Sequence, residues 1–236
     1  MSLLISGDLR LAKGAAMSWR ITPTQPIPAV IGEPFGGGYF AGYISHTADG
    51  SPTHALIVAP RATGATGTGY TLTTMLGIKT TNTATAGTAS DFDGAANTAA
   101  MVTAGITDHP AANFCVGLSI GGFTDWYLPS RREMEIAYFN LKPSTAANHI
   151  VGNNGVNTYA VPQRNNGYTA SYPSQTYLTE WREPSGSQAF VANYHRTSTE
   201  NNASTSWDEI FSNGDGSGPN LKNYPLRIRS FRRITL

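Results

Sequence analysis

Charged residues are scarce in this chain: Asp, Glu, Lys and Arg make up 13% of its 236 residues, roughly half of the ~25% typical of soluble domains. The 16 basic and 15 acidic side chains leave a net charge of +1, so no bulk field draws the protein to nucleic acid. The one local basic stripe is Arg227, Arg229, Arg232 and Arg233. Such a run reads as a solvated strand face or a set of ion-pair partners, and no nucleic-acid partner is expected. Cysteine is nearly missing. Cys115 stands alone, which excludes an intrachain disulfide framework and a cysteine-rich zinc site; after Asn113 and Phe114 in a helical segment, it reads as a small buried hydrophobe. Long apolar runs are lacking too. Nothing approaches the roughly eighteen residues of a membrane span, so no membrane insertion is expected. At the N-terminus, MSLLISGDLRLAKG has no basic leader before its apolar stretch, and Asp8 and Arg10 interrupt it, so it does not read as a secretory signal.

The signatures of catalysis and of metal binding are absent as well. His46, His54, His109, His149 and His195 are scattered, with no His-x-x-x-His pair for zinc. Gly64, Gly67 and Gly69 are not followed by the Gly-Lys-Ser/Thr of a phosphate loop, and no Gly-x-Ser-x-Gly nucleophile elbow occurs. A glycosidase needs two facing carboxylates; Asp91, Asp93, Asp125, Glu180 and Glu200 offer carboxylates, but no spacing selects a pair. Asn213-Gly-Asp215-Gly-Ser217-Gly alternates oxygen ligands with glycine yet lacks the downstream Glu of an EF-hand, so it reads as a turn. The expectation is a non-enzyme with no cofactor, no metal and no catalytic residue.

What is present is a 40% hydrophobic, 10% aromatic chain filled out with small polar residues, enough for a core beneath a neutral surface of hydroxyls and amides. Residues 1–30 read as an anchoring arm and stiff connector, because Pro23, Pro26 and Pro28 hold the backbone extended; an N-terminal strand of the main domain, 31–236, is the alternative reading for 1–22. Residues 39–44 and 54–59 read as strands joined by the Asp49-Gly50-Ser51-Pro52 turn. Residues 61–90, rich in threonine and poor in apolar periodicity, read as a long surface excursion. Helices are expected at 93–104, where alanines raise propensity and Gly105 stops it, after His109-Pro110, and from Ser130. Ser130 with Glu133 three residues on is a capping-box pattern, and Met134, Ile136, Ala137 and Leu141 supply a buried stripe. Glu133 and Glu135 do not face one another on a helix, which favours capping or solvated roles. Beyond 142 helical signals vanish, and Asn154-Gly155, Asn166-Gly167 and Asn213-Gly214 mark tight turns. The segment 224–234 is β-rich. Helices in the middle and strands toward both ends predict an α+β fold, two or three helices on a small antiparallel sheet with long loops, whose terminal strands pair.

Three segments carry a resemblance: GGGYFAGYI (36–44) with ALIVAP (55–60), DGAANTAAMV (93–102), and GGFTDWYLPSRREME (121–135). YHRTSTE (194–200), Trp207, Phe211 and RIRSFRR (227–233) continue it. Over roughly 36–236 the chain resembles the C-terminal domain family of collagen-like bacterial adhesins, a C-type-lectin-like group also found at the ends of phage tail-fibre proteins. The resemblance implies a C-type-lectin-like fold with neighbouring termini, an outward-facing irregular loop region and a homotrimer. Sugar-binding lectins of this fold often hold calcium through Glu-Pro-Asn or Gln-Pro-Asp with Trp-Asn-Asp; here stand Glu183-Pro184-Ser185 and Trp207-Asp208-Glu209, so both patterns fail. The related formylglycine-generating enzymes rely on cysteine chemistry, which a lone helical cysteine does not support. Trp126 and Leu128 read as core residues that fix the following helix on the sheet.

Residues 151–220 carry Tyr159, Tyr168, Tyr172, Tyr177, Trp181 and Tyr194 among Asn, Ser, Gly and Thr, the composition of a paratope. Tyr168, Tyr172, Tyr177, Trp181 and Arg182 are the candidate ligand-binding residues, while Trp207 and Phe211 read as core. The expected function is a bacteriophage virion surface protein, a tail-associated receptor-binding module that recognises a host glycan or protein without catalysis. It would be attached to other virion proteins through the N-terminal arm, assembled in the host cytoplasm and released by lysis. The alternative is a structural virion component, a capsid decoration or baseplate protein, favoured by the absence of a long fibre shaft. A hydrolase of surface glycan is the third class.

Overall fold

The computed structural model describes residues 26–67, 74–152, 154–216 and 218–236. Its main sheet grows from the two expected N-terminal strands. β1 (Pro34–Phe35) leads into β2 (Gly38–Ile44), which pairs antiparallel with β3 (His54–Val58). Further along the chain come β4 (Ala65–Thr66), β5 (Ala160–Val161), β6 (Tyr194–Glu200), β7 (Thr205–Ile210), β8 (Asn220–Leu221), β9 (Ile228–Arg229) and β10 (Phe231–Thr235). The sheet order is β1-β2-β3-β10, with β5 also pairing β2; β4 pairs β9, and β6-β7-β8 form a third sheet. Every one of these strand pairings is antiparallel. The last strand therefore closes on β3, which ties the C-terminal segment to the N-terminal strands as expected.

Four α-helices occur among the described residues: α1 (Arg61–Gly64), α2 (Gly94–Gly105), α3 (Pro110–Val116) and α4 (Arg131–Leu141). The expected three are α2 to α4, and α1 is a single turn that no periodicity announces. Each long helix starts where its sequence signal places it. The Asp93 side chain accepts a hydrogen bond from Ala96 N at α2, Pro110 opens α3, and Ser130 caps α4. The α4 box is reciprocal, with Glu133 N donating to Ser130 Oγ at 3.4 Å and Ser130 N donating to the Glu133 carboxylate at 2.8 Å. The stripe Met134, Ile136, Ala137 and Leu141 is fully buried, as are Trp126, Leu128 and Cys115. These elements make an α+β fold.

α4 lies on β2 because β2 makes room for it. A bulge at Phe40/Gly42 puts Gly42 at φ +127°, and a Cβ there would stand 2.6 Å from Asn140 Nδ2 and 3.1 Å from Ile136. Glycine is thus required both by conformation and by the helix pressed against it.

Several expectations need correction. The 61–90 segment is not all surface: Met75, Ile78, Thr85 and Thr88 are buried, and Thr85 N and Thr88 Oγ1 both donate to Glu200. Arg227, Arg229 and Arg232 are buried, not a solvated face; Arg232 and Arg233 are ion-paired to Asp125 and Asp93. Trp207 is half-buried under the Arg131 guanidinium, 3.9 Å from the ring, although Phe211 is core. Of the Asn-Gly turns, only Gly155 and Gly214 have positive φ; Gly167 does not. Of the expected arm at 1–30, residues 1–25 lie outside the described residues, and Ile27 already packs on the apolar cluster of Phe35, Phe40 and Trp126. Gly69 and Ser217 also lie outside the described residues.

Candidate recognition groove

The last turn of α4 and the chain after β5 enclose a groove of about 440 Å³, within the roughly 300–1,000 Å³ of small-ligand sites. Its inner wall is Ile136, Phe139 and Asn140 on α4, with Tyr43 on β2; its outer wall is the segment 160–169 and Tyr172. Asn140 Nδ2 donates to Ala41 O at 2.7 Å, which locks the helix end to the strand.

The outer wall is held by backbone bonds and by a buried carboxylate. Asn157 and Arg164 exchange backbone hydrogen bonds at 2.7 and 3.0 Å, and Gln163 Nε2 donates to Ala48 O at 2.6 Å. Glu135, expected to cap or face solvent, is buried. It accepts from Gly155 N at 2.9 Å and pairs with Arg132 at 3.0 Å, so it ties the loop to α4. Gly155 at φ +90° lets the backbone pass against the Tyr168 ring, where any Cβ would collide. A tight turn closed by Thr169 and Tyr172, whose amides donate to each other's carbonyls at 3.0 and 3.2 Å, projects Tyr172 outward.

The structure brings two of the five expected site residues to this groove. Tyr168 forms part of its wall but is 7% exposed; Tyr172 stands at the rim, 60% exposed. Tyr177 is exposed and does not line the groove. Trp181 must be withdrawn as a surface contact: it is fully buried, edge-on to Tyr39 at 5.4 Å. Arg182 is half-buried, and its Nε donates to Thr176 O at 2.6 Å, a loop-bracing role. Sequence reasoning missed Phe139, Asn140, Gln163 and Arg164. No periodicity singles out Phe139, because α4 buries every residue from Glu133 to Tyr138 before it. Phe139 is the hub of the wall, with the Arg164 guanidinium 4.4 Å from its ring and Tyr172 edge-on at 5.4 Å.

No Asp, Glu, His or Cys lines the groove; its hydroxyls are those of Tyr43, Tyr168, Thr169 and Tyr172. None of the five carboxylates weighed as a glycosidase pair lines the groove: Asp93 pairs with Arg233 at 2.8 Å, Asp125 with Arg232 at 2.7 Å and Glu200 with Lys222 at 2.6 Å, and Asp91 lies 3.8 Å from Arg132. Two histidines stand beside carboxylates, His46 3.8 Å from Asp93 and His149 3.2 Å from Asp215. Burial, then Arg233, pushes His46 down to about 4. No hydroxyl or thiol bonds to either ring among the described residues. Among the same residues no three His, Cys, Asp or Glu side chains converge to hold a metal ion, and no helix is long and apolar enough to cross a membrane. No family model, no curated protein and no solved structure matches this chain.

Proposed function

We propose that this protein is a bacteriophage virion surface module that recognises the host surface through the α4 groove, on a C-type-lectin-like scaffold and without catalysis. The observation that carries the reading is the composition of the groove: aromatic rings, amides, hydroxyls and one guanidinium, with no Asp, Glu, His or Cys in its lining. Such a wall binds by stacking and hydrogen bonding. The resemblance of residues 36–236 to adhesin and tail-fibre domains supports the setting. The module is a homotrimer attached through its N-terminal arm. Labelled full-length protein is expected to bind susceptible cells saturably and to leave host polysaccharide undegraded on product sizing. Absence of binding, or turnover of the polysaccharide, overturns the reading.

One observation favours the alternative of a structural virion component. Ile150 and Val151 are adjacent and 62% and 65% exposed, an apolar tip suited to a contact with another virion protein. Particle imaging separates the two: density at the tail supports recognition, and density spread over the capsid supports decoration.

A further inference from the structure

We infer that the α4 groove takes a saccharide bearing a carboxylate, such as a uronic or nonulosonic acid unit, and takes it without a metal ion. The inference rests on the recognition reading above and narrows it to a ligand class.

Arg164 is the only charged residue lining the groove, and no carboxylate lines it. Elsewhere in the fold Arg132, Lys222, Arg232 and Arg233 each stand within 4 Å of an acid. Among the described residues Arg164 makes no ion pair: its Nε donates to Gly155 O at 3.3 Å, and its buried Nη2 has no hydrogen-bond acceptor. The Phe139 ring beneath it fixes the plane of the guanidinium without cancelling the charge. A planar guanidinium held against a ring, with no acid paired to it, suits a carboxylate through a charge-assisted hydrogen bond.

The rest of the wall suits the body of a sugar. Tyr172 is held edge-on by Phe139 and stays 60% exposed, a rigid ring face for the C–H side of a pyranose. Asn140, Gln163, Asn165 and Asn166 supply amides, which both donate to and accept from hydroxyls. Lectins that use calcium recruit the ion to bind hydroxyls. A sugar that carries its own anion meets Arg164 directly, and no three metal-ligating side chains converge among the described residues.

The test is an array of uronate- and nonulosonate-bearing oligosaccharides printed beside their carboxyl-reduced forms, with an acidic peptide control, probed with the full chain in EDTA. At least one acidic glycan should bind about tenfold or more tightly than its reduced form, the worth of one charge-assisted hydrogen bond. Arg164→Gln should erase that preference while Arg164→Lys keeps part of it, and Tyr172→Ala should weaken both forms. Equal binding of acidic and reduced forms, equal binding of the acidic peptide, no glycan binding in EDTA, or a preference that survives in R164Q overturns the inference. The wild-type comparison decides even if R164Q fails to fold. The recognition reading fails separately, if cell binding is indifferent to Tyr172→Ala.

Discussion

Asp208 on β7 is buried beside Arg196 and accepts a hydrogen bond from Asn220 Nδ2 at 2.8 Å, yet its other oxygen has no partner. Burial outweighs Asn220 and Arg196 and pushes its carboxyl up to about 6. A raised folded-state value means that the stabilising form is the protonated one. Its contribution is complete below the ordinary 3.8 and is lost as pH rises through about 6. Asp208→Asn is therefore expected to stabilise the protein by roughly 1–3 kcal/mol above that pH and by little below pH ~4, read from urea melts across the range. His195 works in the opposite direction. Burial holds it neutral at about 3 against the usual 6.5, so the unfolded chain binds a proton that the native state refuses. Stability is full above pH ~6.5 and falls as pH drops toward 3. His195→Gln should flatten that acid limb, and an unchanged limb would contradict the assignment. Neither group was legible beforehand, because a strand's sequence does not say which of its polar residues another sheet will cover. Tyr168 and Trp181 escaped for the same reason. Each was read by type, as an amphipathic ring in a polar loop, while its burial comes from residues far along the chain, such as Gly32 against Trp181.

At the scale of elements, α4 was the most legible part of the fold and also positions the groove. Its cap is written in Ser130 and Glu133, and its buried stripe in the spacing of Met134, Ile136, Ala137 and Leu141. Ser130→Ala should cost about 1–2 kcal/mol, a fall of a few degrees in Tm for a chain of this size. It should also loosen the groove, because Phe139 and Asn140 ride on the same helix. Gly155→Ala should cost at least about 1 kcal/mol, since it combines a strained positive φ with a collision against Tyr168; thermal unfolding with ligand titration would show both effects. The outer wall was much less legible. Its residues belong to a long irregular segment with no periodicity, and what fixes it is a set of bonds to distant partners: Gln163 to Ala48, Gly155 to Glu135, Tyr168 to Asn154. The paired strands 39–44 and 54–59 were visible as short, largely apolar runs on either side of the Asp49-Gly50-Ser51-Pro52 turn. α1 and the two-residue strand β4 were not, because they are too short to carry a period, whereas β9 falls inside the segment 224–234 read as β-rich.

For the molecule as a whole, the scarcity of charge has a structural counterpart. Its ion pairs brace the fold, with Arg232 and Arg233 clamping the last strand to Asp125 and Asp93, while the groove keeps a single unpaired guanidinium among rings and amides. A homotrimer implies a solution mass three times the 25.1 kDa chain, which sedimentation would check. The central claim is that the molecule works by holding a host ligand in the α4 groove. Adsorption competition tests it most directly, with phage, susceptible cells and saturating purified protein, either wild type or Tyr172→Ala. Tyr172 is exposed, so its loss should leave the unfolding temperature unchanged. The account predicts that the wild type blocks adsorption and that Y172A, equally folded, does not. Equal blocking by both, or by neither, would contradict it.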